Sequence, residues 1–216
     1  FSDIATMFKI RWVKENSGKI TVNFSAITEY TYAYENQTDS PNSLRIATYH
    51  VLDLCAGTGA IGLAIKDARP DAKVVCADIS PEALDLCSQN ARSLGLDVRI
   101  AQGDLFGAVE GERFDLIACN PPYVRADARA SLQREVRAEP ELALFAGGDG
   151  LAFYRRIAKD APGYLAPCGA LALEIGIGQA LHVSRLLEEA GFLSRRVLRD
   201  VSGTERVIIA RIRSNV

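Results

Sequence analysis

The chain has 216 residues, 48% hydrophobic and 24% charged, with 25 Lys+Arg against 27 Asp+Glu and a formal net charge of -2. That balance excludes a disordered or fibrous chain, and the length allows a substantial core without disulfides or metals. No run of about 18 apolar residues occurs, which excludes a membrane-spanning helix, and the near-neutral charge supplies no global electrostatic reason to bind nucleic acid.

Phe1-Ser2-Asp3-Ile4 has no basic region followed by an apolar stretch, so no signal peptide is expected. The cysteines Cys55, Cys76, Cys87, Cys119 and Cys168 form no C-x-x-C pair, and His50 and His182 lie far apart, so no metal site is expected. Cys55, Cys76 and Cys119 sit in or beside apolar runs, where a thiol serves as a small core side chain. Free thiols in this number point to a reducing, cytoplasmic compartment.

Composition changes near residue 50. Residues 1–50 hold six of the eight threonines and four of the seven asparagines but two of the nineteen arginines. Residues 1–49 are therefore expected to be an N-terminal segment of a different character from a domain over 50–216. Within that segment Phe8–Val13 and Lys19–Phe24 alternate apolar and polar residues around Lys14-Glu15-Asn16-Ser17-Gly18, which predicts a β-hairpin. Residues 27–42 show no sustained period and are expected to be irregular.

From His50 the pattern alternates strand with helix: strand His50–Leu54, helix Gly59–Ala68, strand Lys73–Ala77, and helix Pro81–Leu94 with Ser80 as N-cap and Gly95 at its end. Val98–Ala101 and Phe114–Cys119 follow as strands, Gly150–Ala161 as a helix, Ala170–Glu174 as a strand and Gln179–Ala190 as a helix. Phe192–Arg199 and Glu205–Ile212 form a strand pair around Ser202-Gly203. Such alternation predicts an α/β fold, with a mostly parallel sheet covered by helices on both faces and ending in an antiparallel hairpin.

The first strand of this series runs into Asp53-Leu54-Cys55-Ala56-Gly57-Thr58-Gly59-Ala60-Ile61-Gly62, a glycine-rich turn that opens a helix. Glycines suit a tight turn and a close approach to a ligand, and a helix start presents free N–H groups. About twenty residues on, Asp78 ends the next strand, where a carboxylate can accept hydrogen bonds from both ribose hydroxyls of an adenosine group. Asp104 repeats the arrangement after the third strand. It is a candidate acceptor for the adenine amino group, with Leu105 or Phe106 covering the ring; packing of both apolar residues in the core is the competing expectation.

The fourth strand delivers Asn120-Pro121-Pro122-Tyr123 to the same edge. Two prolines remove backbone donors and stiffen the turn, leaving carbonyls and the Asn oxygen to face a ligand. Acceptors beside an aromatic face suit a planar –NH2 group, whose nitrogen lone pair is thereby aimed at an electrophile.

These segments together, Val51 to Gly59, Ala77-Asp78-Ile79-Ser80 and Asn120-Pro121-Pro122-Tyr123, resemble the S-adenosylmethionine-dependent amino-methyltransferases. Glu139–Leu144, Gly147–Leu151, Tyr154-Arg155, Leu173–Gly176 and Asp200, Gly203 and Arg206 resemble more closely the protein-(glutamine-N5) methyltransferases that act on bacterial peptide chain release factors. The resemblance covers about residues 50–212. It implies a seven-stranded Rossmann-like sheet in which Asp53, Cys55, Ala56, Gly57, Thr58, Gly59, Asp78, Asp104, Leu105, Phe106 and Asn120 line the cofactor, S-adenosylmethionine. Leu105 stands where the resemblance implies a larger aromatic residue.

By the same resemblance Asn120 accepts from a substrate glutamine amide, with the Pro121 carbonyl as second acceptor, and Pro122 and Tyr123 complete the substrate contact. The glutamine is that of a Gly-Gly-Gln tripeptide, and the partner is the release factor. The front of the chain departs from the family: residues 1–50 carry neither its helical N-terminal domain nor its segment of the form I-P-R-x-E-T-E. Two other readings stand beside this one. The first is a nucleic-acid amino-methyltransferase acting on adenine N6 or guanine N2; against it, Arg125, Arg129, Arg134 and Arg137 are spaced like a solvated helix face. The second is a non-catalytic cofactor-binding scaffold.

Overall fold

The structure, a computed structural model, describes residues 9–14, 20–25, 49–125, 127 and 144–212. The alternating N-terminal segments form β1 (Lys9–Lys14) and β2 (Ile20–Ser25), an antiparallel pair with Trp12 opposite Val22. This is the predicted hairpin, each strand shifted by one residue. The expected irregular stretch, 27–42, lies outside the described residues.

The main sheet contains β3 (His50–Leu54), β4 (Lys73–Asp78), β5 (Arg99–Gln102), β6 (Phe114–Cys119), β7 (Leu165–Glu174), β8 (Phe192–Arg199) and β9 (Glu205–Ile212), in the order β5-β4-β3-β6-β7-β9-β8. The first five run parallel, and β9 is antiparallel to both β7 and β8. Between strands come α1 (Ala60–Ala68), α2 (Pro81–Leu94), α3 (Ala152–Tyr164) and α4 (Ala180–Glu189).

Local chemistry sets several boundaries. The Ser80 hydroxyl accepts from Ala83 N at 3.1 Å, Pro81 occupies the first turn of α2, and Gly95 closes it at φ 67°. These are the residues predicted to do so. β7 begins five residues earlier than predicted, because Phe114 pairs with Leu165 before pairing resumes at Leu116 and Ala170. The intervening Pro167-Cys168-Gly169 turn, with Cys168 at φ 64°, bulges out of the ladder and hides the start of the strand from a periodicity reading. A short 3-10 turn, Leu105–Val109, was not predicted at all.

Alternate residues of the central strands feed two cores, as a period of two requires. Leu52, Leu54 and Val75 meet Tyr154 and Ile157 of α3 and Val183 and Leu187 of α4 on one face. Val51, Val74 and Cys76 meet Cys87 of α2 on the other. Cys76, Cys87 and Cys119 are buried as free thiols, Cys55 is partly buried and Cys168 is exposed. Among the described residues no helix is long and apolar enough to cross a membrane.

Leu52 is fully buried where helices α3 and α4 cover the sheet, whereas Val201 is 93% exposed in the β8–β9 turn. Leu52→Ala is expected to lower unfolding free energy by about 2–5 kcal/mol in denaturant titration. Val201→Ala is expected to stay within about 0.5 kcal/mol of the parent.

Candidate functional site

The chain runs from β3 outward through β4 to β5, then returns to place β6 on the other side of β3. In a parallel sheet this reversal opens a crevice beyond the carboxyl ends of the two strands, because their connections leave in opposite directions. Leu54 and Cys119 are the last paired residues of β3 and β6, so Cys55 and Asn120 emerge from neighbouring strands at that crevice. The site is assembled from the four loops that leave β3, β4, β5 and β6.

After β3 the backbone turns at Cys55 (φ 59°) and Gly57 (φ 54°). Ala56 N donates to Ala77 O at 2.9 Å and Gly59 N to Ala56 O at 2.8 Å, fixing the turn against β4. Asn90 of α2 holds the exposed Thr58 through its carbonyl at 3.0 Å. The glycines serve different ends. A Cβ at Gly57 would meet no atom of the described residues within 4 Å, so among them that face of the loop is open. One at Gly59 would lie 2.4 Å from Cys87 Sγ, and one at Gly62 would lie 2.6 Å from Cys76 Sγ, so both let the start of α1 sit close against its neighbours.

Asp78 is tied into this loop. Its Oδ2 accepts from Gly57 N at 2.8 Å and its Oδ1 from Ser80 N at 2.9 Å. A carboxylate has about four lone-pair positions, so acceptor capacity remains for a ligand. Asp53 behaves differently. It is 1% exposed, its Oδ2 accepts from Gly62 N at 2.7 Å, and its Oδ1 has no partner among the described residues. Asp53 lies beneath the loop and bonds the start of α1 to the sheet.

At the end of β5, Asp104 is bonded to Arg156 of α3 at 2.7 Å, with both side chains about half exposed. Leu105 turns at φ 49° and is buried. Phe106 is 3% exposed and stacks on Tyr164 at a centroid distance of 4.5 Å. It belongs to the core. Of the two expectations for Phe106, its surroundings match core packing, since Tyr164 of α3 stacks on its ring.

At the end of β6, Asn120 is exposed, Pro121 and Pro122 are buried, and Tyr123 is half-buried and packed against the main core. The loop then runs parallel to a second segment: Val124 N donates to Leu144 O at 2.8 Å, and Ala146 N to Val124 O at 2.9 Å. Gly147 and Gly150, both at positive φ, carry the chain into α3. Asp149 accepts from Leu151 N and pairs with Arg155, which holds its carboxyl down to about 2. Arg125 pairs with Asp127 at 2.6 Å. The other three arginines of the proposed solvated face lie outside the described residues.

Three contributors were not legible beforehand. Arg156 reaches Asp104 from 52 positions away. Tyr154, fully buried, donates to Glu174 O at 3.0 Å, and the Gln179 side chain bonds to the segments around Tyr123, Gly150 and Gly176. The signal available for this junction is glycine at 150 and 176, where other chain segments come close.

A seven-stranded sheet with this order, its loops converging at the β3/β6 reversal, defines a Rossmann-like methyltransferase fold. Solved structures similar to it include a methyltransferase from Pyrococcus furiosus (TM-score 0.57, 19% identity, 76% of this chain and 74% of that one). Another is a Thermus thermophilus 16S rRNA N2 G1207 methyltransferase in complex with AdoMet and guanosine (TM-score 0.55, 23% identity, 76% and 38%). The chain belongs to the methyltransferase small domain family, whose model matches residues 41–152. A curated relative, the release factor glutamine methyltransferase of Cereibacter sphaeroides, is 47% identical over 165 residues, covering 75% of this chain and 59% of the relative. The chain thus spans between half and two thirds of the length of the curated relatives it matches.

Burial lifts the Asp53 carboxyl from its ordinary 3.8 to about 7, opposed by the Gly62 N–H and assisted by the nearby charge of Asp78. A carboxyl with a raised folded value binds its proton more tightly in the fold than in the unfolded chain. Its contribution to stability is complete below about pH 4 and is lost as pH rises through 7. Between those limits the parent should lose about 1.4 kcal/mol per pH unit relative to Asp53→Asn. Denaturant titrations of both proteins at pH 4, 5.5, 7 and 8 measure the difference; parallel profiles would exclude the buried protonated carboxyl.

Proposed function

We propose that the chain is an S-adenosylmethionine-dependent protein-(glutamine-N5) methyltransferase that modifies the glutamine of the Gly-Gly-Gln tripeptide in peptide chain release factors. Residues 50–216 carry the activity as one domain, and 1–49 form a distinct N-terminal segment. The observation that carries this reading is the emergence of Asn120, exposed, beside the open glycine loop of the neighbouring strand. It is supported by the identity to curated release factor glutamine methyltransferases, 47% and 42% for the first two.

The residues present fit the cofactor. Gly57 leaves its face of the loop open to close approach, and Asp78 retains acceptor capacity beside it. Cys55, Ala56, Thr58 and Gly59 would form the rest of the cradle, with Asp104 and Leu105 at the adenine end. When bound, S-adenosylmethionine supplies an electrophilic methyl group on its sulfonium.

The work of the protein is then to present a nitrogen. The Asn120 side-chain oxygen and the Pro121 carbonyl accept the two N–H bonds of the substrate amide, while Pro122 stiffens the turn and Tyr123 packs along the amide plane. Holding both hydrogens in plane directs the nitrogen lone pair out of that plane and excludes other orientations, an effect worth up to about 7–11 kcal/mol in the best intramolecular models. The amide nitrogen releases a proton once it carries the methyl group. No activated side-chain nucleophile is needed.

Incubation of the chain with methyl-labelled cofactor and a Gly-Gly-Gln release factor, with RNA and DNA in parallel, tests the proposal. Label is expected on the release factor glutamine; label on nucleic acid alone would overturn it. Asn120→Ala should lower turnover about 100-fold or more with cofactor affinity nearly unchanged. Asp78→Ala should weaken cofactor binding about 10- to 100-fold, the loss of one or two charge-assisted hydrogen bonds. Equal loss of cofactor binding in both variants would show Asn120 to be misassigned.

A further inference from the structure

The loop that carries Asn120 to Tyr123 is held by a side chain that lies 56 positions beyond Tyr123. Gln179 sits at the N-cap of α4, with its backbone in the helical region (φ -88°, ψ -10°) and Val183 N donating to its carbonyl at 3.0 Å. Its side-chain Oε1 accepts from Gly176 N at 2.9 Å. Its Nε2 donates to Tyr123 O at 3.1 Å and to Gly150 O at 3.3 Å. A carboxamide offers one acceptor oxygen and two N–H donors, and here all three functions are used.

The surrounding backbone is built closely around this one group. A Cβ at Gly150, where φ is +74°, would lie 2.6 Å from Tyr123 O and 2.9 Å from Gln179 Nε2. A Cβ at Gly176 would lie 2.7 Å from Gln179 Oε1 and 3.0 Å from Tyr123 Cδ2. Any side chain at either glycine would push the carboxamide or Tyr123 away. The loops after β6, before α3 and after β7 therefore meet at Gln179, and the helix to which it belongs packs on the main core through Val183 and Leu187.

We propose that Gln179 is a positioning residue for the Asn120–Tyr123 turn. It fixes the Tyr123 carbonyl to the rigid start of α4 and thereby the orientation of the acceptors that precede it, without touching substrate or cofactor. This inference rests on the reading of that turn as the amide-holding element. Only an amide suits the position: a glutamate keeps the acceptor for Gly176 N but faces two carbonyl oxygens with no donor, and a methionine of similar length offers neither function.

The test compares Gln179→Glu and Gln179→Met with the parent chain in three measurements: turnover and KM with a Gly-Gly-Gln release factor, cofactor affinity by calorimetry, and hydrogen exchange by mass spectrometry. Turnover is expected to fall about 10- to 100-fold in both variants, as for a small misplacement of a reacting group. Cofactor affinity should stay within about threefold, since Gln179 lies outside the β3 and β4 loops. Peptides covering Tyr123–Arg125 should exchange at least about tenfold faster in both, while Gly176 keeps its protection in Gln179→Glu and loses it in Gln179→Met.

Turnover within twofold of the parent in folded variants would overturn the proposal, as would unchanged exchange at Tyr123–Arg125. Should Gln179→Met not fold, the glutamate variant decides on the same criteria. Absence of methyl transfer by the parent would instead overturn the functional reading, and the exchange measurement, which needs no substrate, would still decide whether Gln179 holds the turn.

Discussion

The parallel pairing of β3 with β4 on one side and β6 on the other is the constraint on which the rest of the molecule depends. Parallel strands all end at the same edge, so every loop leaving them arrives on the same side of the sheet. Where the chain reverses its direction of travel, the connections from β3 and β6 leave in opposite directions, and in such sheets a crevice forms there without any side chain being arranged to make it. The glycine loop and Asn120 lie just beyond those strand ends, and Asp78 closes β4 at the same edge.

Close approach at the start of α1 tightens this arrangement. Gly62 lets the helix sit against Cys76 and Asp53, and the Asp53 carboxylate receives the helix amide at 2.7 Å. A helix N-terminus favours negative charge, but full burial favours the protonated acid. Burial is the largest influence on this carboxyl and raises it to about 7 against the opposing Gly62 amide. Asp53 is therefore a buried acid near its own titration point under a loop whose outer face is open. Its neighbour Asp78 is more open to solvent and accepts from two backbone donors, Gly57 N and Ser80 N.

On the other side of the crevice the Asn120–Tyr123 turn has few means of holding itself. Two prolines limit its torsions but remove the N–H groups that would anchor it. The missing donors are supplied from elsewhere in the chain: Gln179 donates to Tyr123 O, and Val124 bonds in both directions to the segment around Leu144–Ala146. Tyr154 adds a bond to Glu174 O at the end of β7, the strand beside β6. The turn is thus held from outside, by donors on α4 and on the segment that runs beside it.

Much of this was readable from residue order, and what was not has a common cause. Ser80, Pro81 and Gly95 bound α2 through bonds to residues within four positions of themselves, so local pattern located that helix to the residue. The glycine loop, Asp78 and Asn120 stand at the ends of strands whose largely apolar runs mark them as buried, and parallel topology places those ends together. The burial of Phe106 and Asp53 is not legible in residue order, because exposure is a property of what covers a residue, here α3 and α1, and not of the residue. Leu165 joined β7 through pairing with Phe114 across a bulge. Arg156, Tyr154 and Gln179 depend on partners 20 to 56 positions away, at distances where hydrogen-bond geometry is set by the packing of whole helices. Sequence by itself determined the elements, the direction of the sheet and the residues at its open edge, since these follow from periodicity and local bonding. Which of those residues are exposed, which are sealed beneath the loops and what holds the Asn120 turn in place was decided only by tertiary structure, because burial and long-range hydrogen bonds exist only once the helices have closed on the sheet.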